Sequence, residues 1–288
     1  MKSMNTIRTV QIGLDILCLL LLLALPSRTF AADNSRVDSV SRILQSSPLS
    51  KTEQAEVHAR TAAAINAGVP AEDVEIIVSR SVRRGADAST INRFLDTGIL
   101  TKQKGLPVTP VLDRIEQGLS KGVPLDRIAS ASQQLASKIA AAQPIVDDLI
   151  RGGVKPKQGN EREAAIEATA RALEKSVPPE DLKKMGDAIR ERKGPLPLFT
   201  SAANTVAYFA GSGMSAKTSS NLVQNAVENG YSERDLDGMA RQINDQMMRG
   251  MRPEDAAMQM QRQGMQGGRA GMGPGSGMGG MGGMGGHR

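Results

Sequence analysis

One short frame recurs along this chain: glycine, an apolar residue, proline or serine, any residue, two positions that favour charge, then an apolar residue. It begins at Gly68 (GVPAEDVEII), Gly105 (GLPVTPVLDRI), Gly122 (GVPLDRIASA), Ser176 (SVPPEDLKKM), Gly230 (GYSERDLDGM) and Gly250 (GMRPEDAAMQ). A weaker member, GADASTINRF, begins at Gly85. Every slot has a meaning at the boundary between two helices. Glycine enters the left-handed region past a helix end without steric cost. The apolar residue packs back over the turn just closed. The third slot is the N-cap of the next helix, filled at Ser232 by a hydroxyl with Asp235 three residues on, a capping-box spacing. Arg252 is a poor cap, but Pro253 follows at the first helical position, where a missing N–H costs nothing, and Pro179 plays the same part. Asp73, Asp181, Asp235 and Asp255 take the third helical position, where a carboxylate meets the positive end of the helix.

Between the junctions the apolar residues keep helical spacing: Val74, Ile77, Val78 and Val82; Ile91, Phe94 and Leu95; Leu112, Ile115 and Leu119; Leu125, Ile128, Leu135 and Ile139. Ser50 with Glu53 predicts a capped helix start, and that helix ends near Ala67. The intervals between Gly68, Gly85, Gly105 and Gly122 run short, long, short, and the interval from Gly230 to Gly250 equals the long one. Helices this short, joined this tightly, pack antiparallel. The expected fold class is therefore all-α. Short antiparallel helices are joined by Gly-x-Pro/Ser capped turns, either as an array of repeated helical hairpins with a 37-residue period over 68–141 or as an irregular bundle reusing one junction.

The middle of the chain breaks the rhythm. RGGVKPKQGN (151–160) reads as a polar linker, EREAAIEATARALEK (161–175) as a strong helix former, and RKGPLPLFTSAAN, with Pro195 and Pro197, as extended or looping chain. Two lobes are expected, 35–151 and 160–264. Residues 265–288 form a Gly/Met-rich tail whose glycine content favours disorder. Aromatic residues make up only 2% of the chain, so each helix brings little large apolar surface to a core.

The segments VLDRIEQGLSKGVPLDRIASASQQL (111–135) and INAGVPAEDVEIIVSRSVRRG (65–85) resemble helical-repeat segments of uncharacterised exported bacterial proteins. That resemblance covers about residues 65–135. It implies a helical repeat scaffold and brings no reaction with it.

The amino terminus agrees with export. Lys2 and Arg8 precede ten apolar residues, Ile16 to Leu25, and Pro26 breaks the run before Thr29-Phe30-Ala31. This is the layout of a signal peptide over 1–31. The run is shorter than the roughly 20 residues that cross a bilayer, and an uncleaved anchor is the alternative. Cys18 begins the apolar run instead of ending it, so it reads as filler and not as a lipid-attachment site. Without residues 1–31 the chain has no cysteine, which excludes disulfide and thiolate chemistry. Losing Lys2, Arg8, Arg28 and Asp15 takes the net charge from +6 to +4, too mild and dispersed for a nucleic-acid binder. The expected location is periplasmic or extracellular, with an envelope protein as partner.

Candidate chemistry is sparse. GSGMSAKT (211–218) approaches a phosphate-binding loop, with TVAYFA as a potential preceding strand, but Ala216 stands where the second glycine belongs. The competing reading is a Gly-Ser turn followed by a helix capped by Ser219 or Ser220 and running to Asn229. His58 lies in a helical segment. Asp147 and Asp148 are adjacent and point apart. Glu161, Glu163, Glu167 and Glu174 read as a solvated face linked to Arg162, Arg171 and Lys175. Eleven of the 15 methionines lie from Met239 onward. Met278, Met281, Met284 and His287 form a candidate soft-metal set for copper, because thioether and imidazole suit Cu(I). The leading expectation is an exported helical scaffold or protein-interaction protein without identified catalysis. Copper handling through the methionine-rich segment comes second, and an enzyme of undetermined class third.

Overall fold

The computed structural model describes residues 27–266. The candidate ligands Met278, Met281, Met284 and His287 lie outside that range. So does the predicted signal segment, apart from residues 27–31, which open the first helix. The described residues hold twelve α-helices and no strand. They are α1 (Ser27–Gln45), α2 (Lys51–Asn66), α3 (Ala71–Arg83), α4 (Ala88–Gln103), α5 (Thr109–Ser120) and α6 (Leu125–Arg151). Then follow α7 (Glu161–Glu174), α8 (Pro179–Glu191), α9 (Leu196–Gly211), α10 (Ala216–Glu228), α11 (Glu233–Met248) and α12 (Pro253–Gln266).

The junction chemistry acts as local sequence requires. The Ser50 and Ser232 side chains each accept a hydrogen bond from the third helical amide, and the Glu53 and Asp235 carboxylates each accept one from the cap amide. Gly68, Gly85, Gly105, Gly122, Gly230 and Gly250 all have φ between +66° and +92°. At Gly68 the turn closes by Val69 N–H donating to the Ala64 carbonyl at 3.1 Å, which draws the buried Val69 over the finished helix. Two positions reach the same left-handed conformation without glycine: Ser176 at φ 61° and Lys193 at φ 56°.

Lys193 marks a junction that sequence reasoning misplaced. Residues 192–195 do turn, but 196–204 are not extended or looping chain: helix α9 begins at Leu196, with Pro195 as its N-cap and Pro197 inside the first turn. Proline is tolerated there because the first amides of a helix have no partner to lose. The segment TVAYFA lies within α9 and is not a strand. Helix α10 is capped by Ser215, whose hydroxyl accepts from the Thr218 amide at 3.0 Å. Ser219 and Ser220 are buried inside that helix instead of capping it.

With one exception, α5 and α7, helices two apart along the chain pack together, most slightly α10 with α12. The helices therefore fall into two rows, α2, α4, α6, α8, α10 and α12 in one and α1, α3, α5, α7, α9 and α11 in the other. Boundaries recur with an offset of 37 residues: Lys51–Asn66 becomes Ala88–Gln103, Pro179–Glu191 becomes Ala216–Glu228, and Leu196–Gly211 becomes Glu233–Met248. The pair Ala71–Arg83 and Ala88–Gln103 also recurs, with the same lengths and the same gap, as Pro179–Glu191 and Leu196–Gly211. Second neighbours in a row run parallel, so residues 36 or 37 apart stand level. Side chains exploit this. Arg60 pairs with Asp96 at 3.1 Å, Arg80 with Glu116 at 3.7 Å and Tyr208 Oη with Asn244 Oδ1 at 2.7 Å.

One core runs from Val40 to Ala257. Phe94, Phe199 and Phe209 are fully buried in it, each contributing about 1.5–3 kcal/mol. Helix α7 packs on α9 with Ala165, Ala168 and Ala172 buried on one side and Ala202 and Ala203 on the other. Alanines permit close helix approach, which compensates for the small area each buries. Helix α6 is the longest, 27 residues, and packs on α4, α5, α7 and α8. It spans the gap between the hairpins on either side, and residues 152–160 turn the chain into α7. Among the described residues no helix is long and apolar enough to cross a membrane.

Candidate interaction surface

An acidic surface is assembled from helices α3, α5 and α7. Glu72 and Asp73 open α3, Asp113 and Glu116 lie on α5, and Glu163 and Glu167 lie on α7. Each is ordinary alone, since carboxylates favour the first turns of helices. Together they repel. Burial, then Asp113 and Glu72, push the Asp73 carboxyl above the usual range. Burial and Asp73 raise Glu116, against the opposing pull of Arg80. Burial raises Glu167 as well, with Glu163 and Asp113 adding to it and Arg171 opposing. Three half-buried carboxyls on three helices are thus held in a field their own cations do not fully neutralise.

Other carboxylates are neutralised. Glu75 accepts from Ser39 Oγ and Arg36 Nη1, both at 2.6 Å, and sits below the usual range. Asp147 receives two hydrogen bonds from Arg162, at 2.8 and 2.9 Å, while the neighbouring Asp148 pairs with Arg151. The two aspartates do point apart. The expected linkage of Arg162 to its own helix's glutamates gives way to this contact between α7 and α6. Glu174 leaves its own helix too, pairing with Arg114 on α5 at 3.1 Å.

The phosphate-loop lookalike has a structural role. Gly211 ends α9, Gly213 turns at φ 99°, and Lys217 lies 3.6 Å from Asp181 on the neighbouring helix α8. Asp181 is buried, with its second oxygen lacking a hydrogen-bond partner among the described residues. The Lys217 ammonium thus has a carboxylate as its near neighbour, which disfavours a phosphate beside it. The strand such a loop requires is here a helix, so backbone amides do not converge.

His58 is half-buried on α2. No group of three or more histidine, cysteine, aspartate or glutamate side chains among the described residues is placed to hold a metal ion. Two shallow polar cavities occur. One of about 330 Å³ lies between α8 and α10, lined by Lys184, Asp187, Glu191, Arg192, Gln224 and Glu228. The other, about 420 Å³, lies where α11 turns into α12, beside Gln246, Arg249, Met251 and Gln259. Neither presents a nucleophile held against a base.

No protein family, curated protein or solved structure matches this chain. The geometry of the chain itself must carry the functional reading. The acidic face was not legible from sequence because Asp73, Glu116 and Glu167 belong to separate segments, each with junctions of its own between them.

Proposed function

We propose that this chain is an exported helical-hairpin repeat scaffold that holds a protein partner in the cell envelope. The observation supporting the repeat is the recurrence of helix boundaries at one offset within each half, and of the same helix pair between the halves, together with second-neighbour packing in two rows. Such arrays present extended surfaces, and their function lies in what those surfaces hold. Export rests on the basic, apolar, small-residue order of residues 1–31. The acidic face of α3, α5 and α7 is the surface on which a basic partner relieves an existing repulsion.

The test is affinity capture from envelope extract with the full chain, followed by titration of the purified captured protein against the full chain. A saturable one-site complex that weakens with salt, and weakens further in the D73N/E116Q/E167Q variant, supports the scaffold. Recovery of no specific partner, with turnover of a substrate by the purified chain, overturns it.

A second reading is copper handling through Met278, Met281, Met284 and His287. It is favoured by the methionines already gathered at Met247, Met248, Met251, Met258 and Met260. Cu(I) titration of the full chain against a chain ending at Gly264 separates the two. Equal weak binding by both removes the tail set.

A further inference from the structure

The last hairpin is attached by different chemistry from those before it. Helix α9 fully buries branched and aromatic residues such as Phe199, Val206 and Phe209, and α10 buries Leu222, Val223 and Val227. Among the described side chains of helix α12, only Ala256 and Ala257 are fully buried. Among the described side chains, Met251 and Met260 are half-buried against the core here, as is Met247 at the end of α11. One offset of 37 residues earlier, the Met260 position is Val223, fully buried, and the Met247 position is Ala210. Two of the three thioethers thus stand where the preceding helices carry oxidation-inert aliphatics, while the position matching Met251 is Met214, which is buried. A polar contact also holds its start, Ser215 N–H donating to Glu254 Oε1 at 3.1 Å, and the apolar Pro253 ring lies near Gly213. Two further methionines face solvent, Met248 at 81% exposure and Met258 at 47%.

We propose that the α11–α12 hairpin is an oxidation site, in which conversion of Met247, Met251 and Met260 to sulfoxides releases α12 from the array. In the reaction each thioether sulfur attacks one oxygen of hydrogen peroxide. An S–O bond forms, the O–O bond breaks, the sulfur loses two electrons, and the peroxide is reduced to water. The product carries a strong S–O dipole in place of an apolar contact. Among its described side chains the two fully buried ones are alanines, which offer little apolar surface to hold α12 once the thioethers are polar. Met185 and Met214 lie deeper, at 0% and 3% exposure, and are shielded while the array is folded.

The experiment treats the full chain with hydrogen peroxide and follows each methionine by peptide mass mapping, with amide exchange on the same samples. Met248 and Met258 gain oxygen first without a change in exchange. Oxidation of Met247, Met251 and Met260 then raises exchange in residues 253–262 by about tenfold or more, while 161–211 changes little. The M247L/M251L/M260L variant keeps volume and apolarity and should lose this rise. Unchanged exchange with those three sulfurs fully oxidised overturns the proposal. So does an equal rise in the leucine variant, or oxidation of Met185 and Met214 in step with Met251.

Discussion

Arg84, in the junction after α3, donates to the carbonyl of Leu119 near the end of α5 at 3.1 Å. Its second nitrogen reaches the Val123 carbonyl at 3.0 Å. Arg192, in the matching junction after α8, makes the equivalent contact with the carbonyl of Val227 at 3.0 Å. The last carbonyls of a helix have no partner in their own helix. The Leu119 and Val227 carbonyls already accept from the turn amides of Gly122 and Gly230, at 3.4 and 3.0 Å, and the guanidinium of an earlier helix junction adds a second donor that ties two helices together.

Arg84→Ala should therefore cost about 1.5–3 kcal/mol, the usual range for a hydrogen bond to a charged donor. Arg84→Lys should recover little, because one ammonium cannot span two carbonyls set for a planar fork. Urea unfolding of the three proteins checks this, and equal stability of wild type and alanine variant would refute it.

Ser176 and Lys193 adopt a conformation that costs a side-chain-bearing residue about 1–2 kcal/mol. Ser176→Gly and Lys193→Gly should each stabilise the chain, raising Tm by about 2–4 °C per kcal/mol regained. Gly105→Ala tests the converse: its added methyl meets nothing within 4 Å, yet φ at +66° is strained, so stability should fall. Calorimetry reads all three.

Two helical glycines separate packing from propensity. A methyl group on Gly118 would stand 2.6 Å from Ile128 Cγ1. Gly118→Ala should cost about 1–3 kcal/mol, with partial rescue by Ile128→Val. Gly238 lies in α11 with nothing within 4 Å, and Gly238→Ala should gain about 0.5–1 kcal/mol. Opposite signs in chemical denaturation are the expected result.

The acidic face predicts a pH dependence. Folding raises the pKa values of Asp73, Glu116 and Glu167, so the folded state binds more protons than the unfolded state between the ordinary carboxylate range and those raised values. Their contribution is destabilising at neutral pH and fades as pH falls through the raised values toward about 4. Glu167→Gln should be more stable than wild type by about 0.2–0.5 kcal/mol at pH 7, and the difference should shrink toward pH 4. Glu53, Asp87 and Asp235 act oppositely. Hydrogen bonding at their caps lowers them, and the stability they add is lost as pH falls through their lowered values. Denaturation midpoints across this range, with Asp235→Asn for comparison, check both signs.

Much of the fold was legible because helix junctions are local. Ser50 with Glu53, Ser232 with Asp235, and Gly68 before Val69 each settle within a few residues. Lys193 was not legible, because a left-handed lysine has no sequence signature and its position follows only from the offset of its neighbours. Nor was the α9 start, where Pro195 and Pro197 read as breakers although a first helical turn accepts proline. The acidic face was hidden for a longer-range reason. Its members meet only once the extra turns of α6 have set how α7 stands beside α5, and Arg114 reaching Glu174 is the product of that displacement.

Helix α6 is in effect a beam to which both sets of hairpins are bolted. Load passing from one set to the other travels along its backbone hydrogen bonds as well as through side-chain contacts. Pro144, exposed and inside this helix, removes one of those bonds. The beam is therefore weaker at Pro144 than an unbroken ladder of backbone bonds would make it.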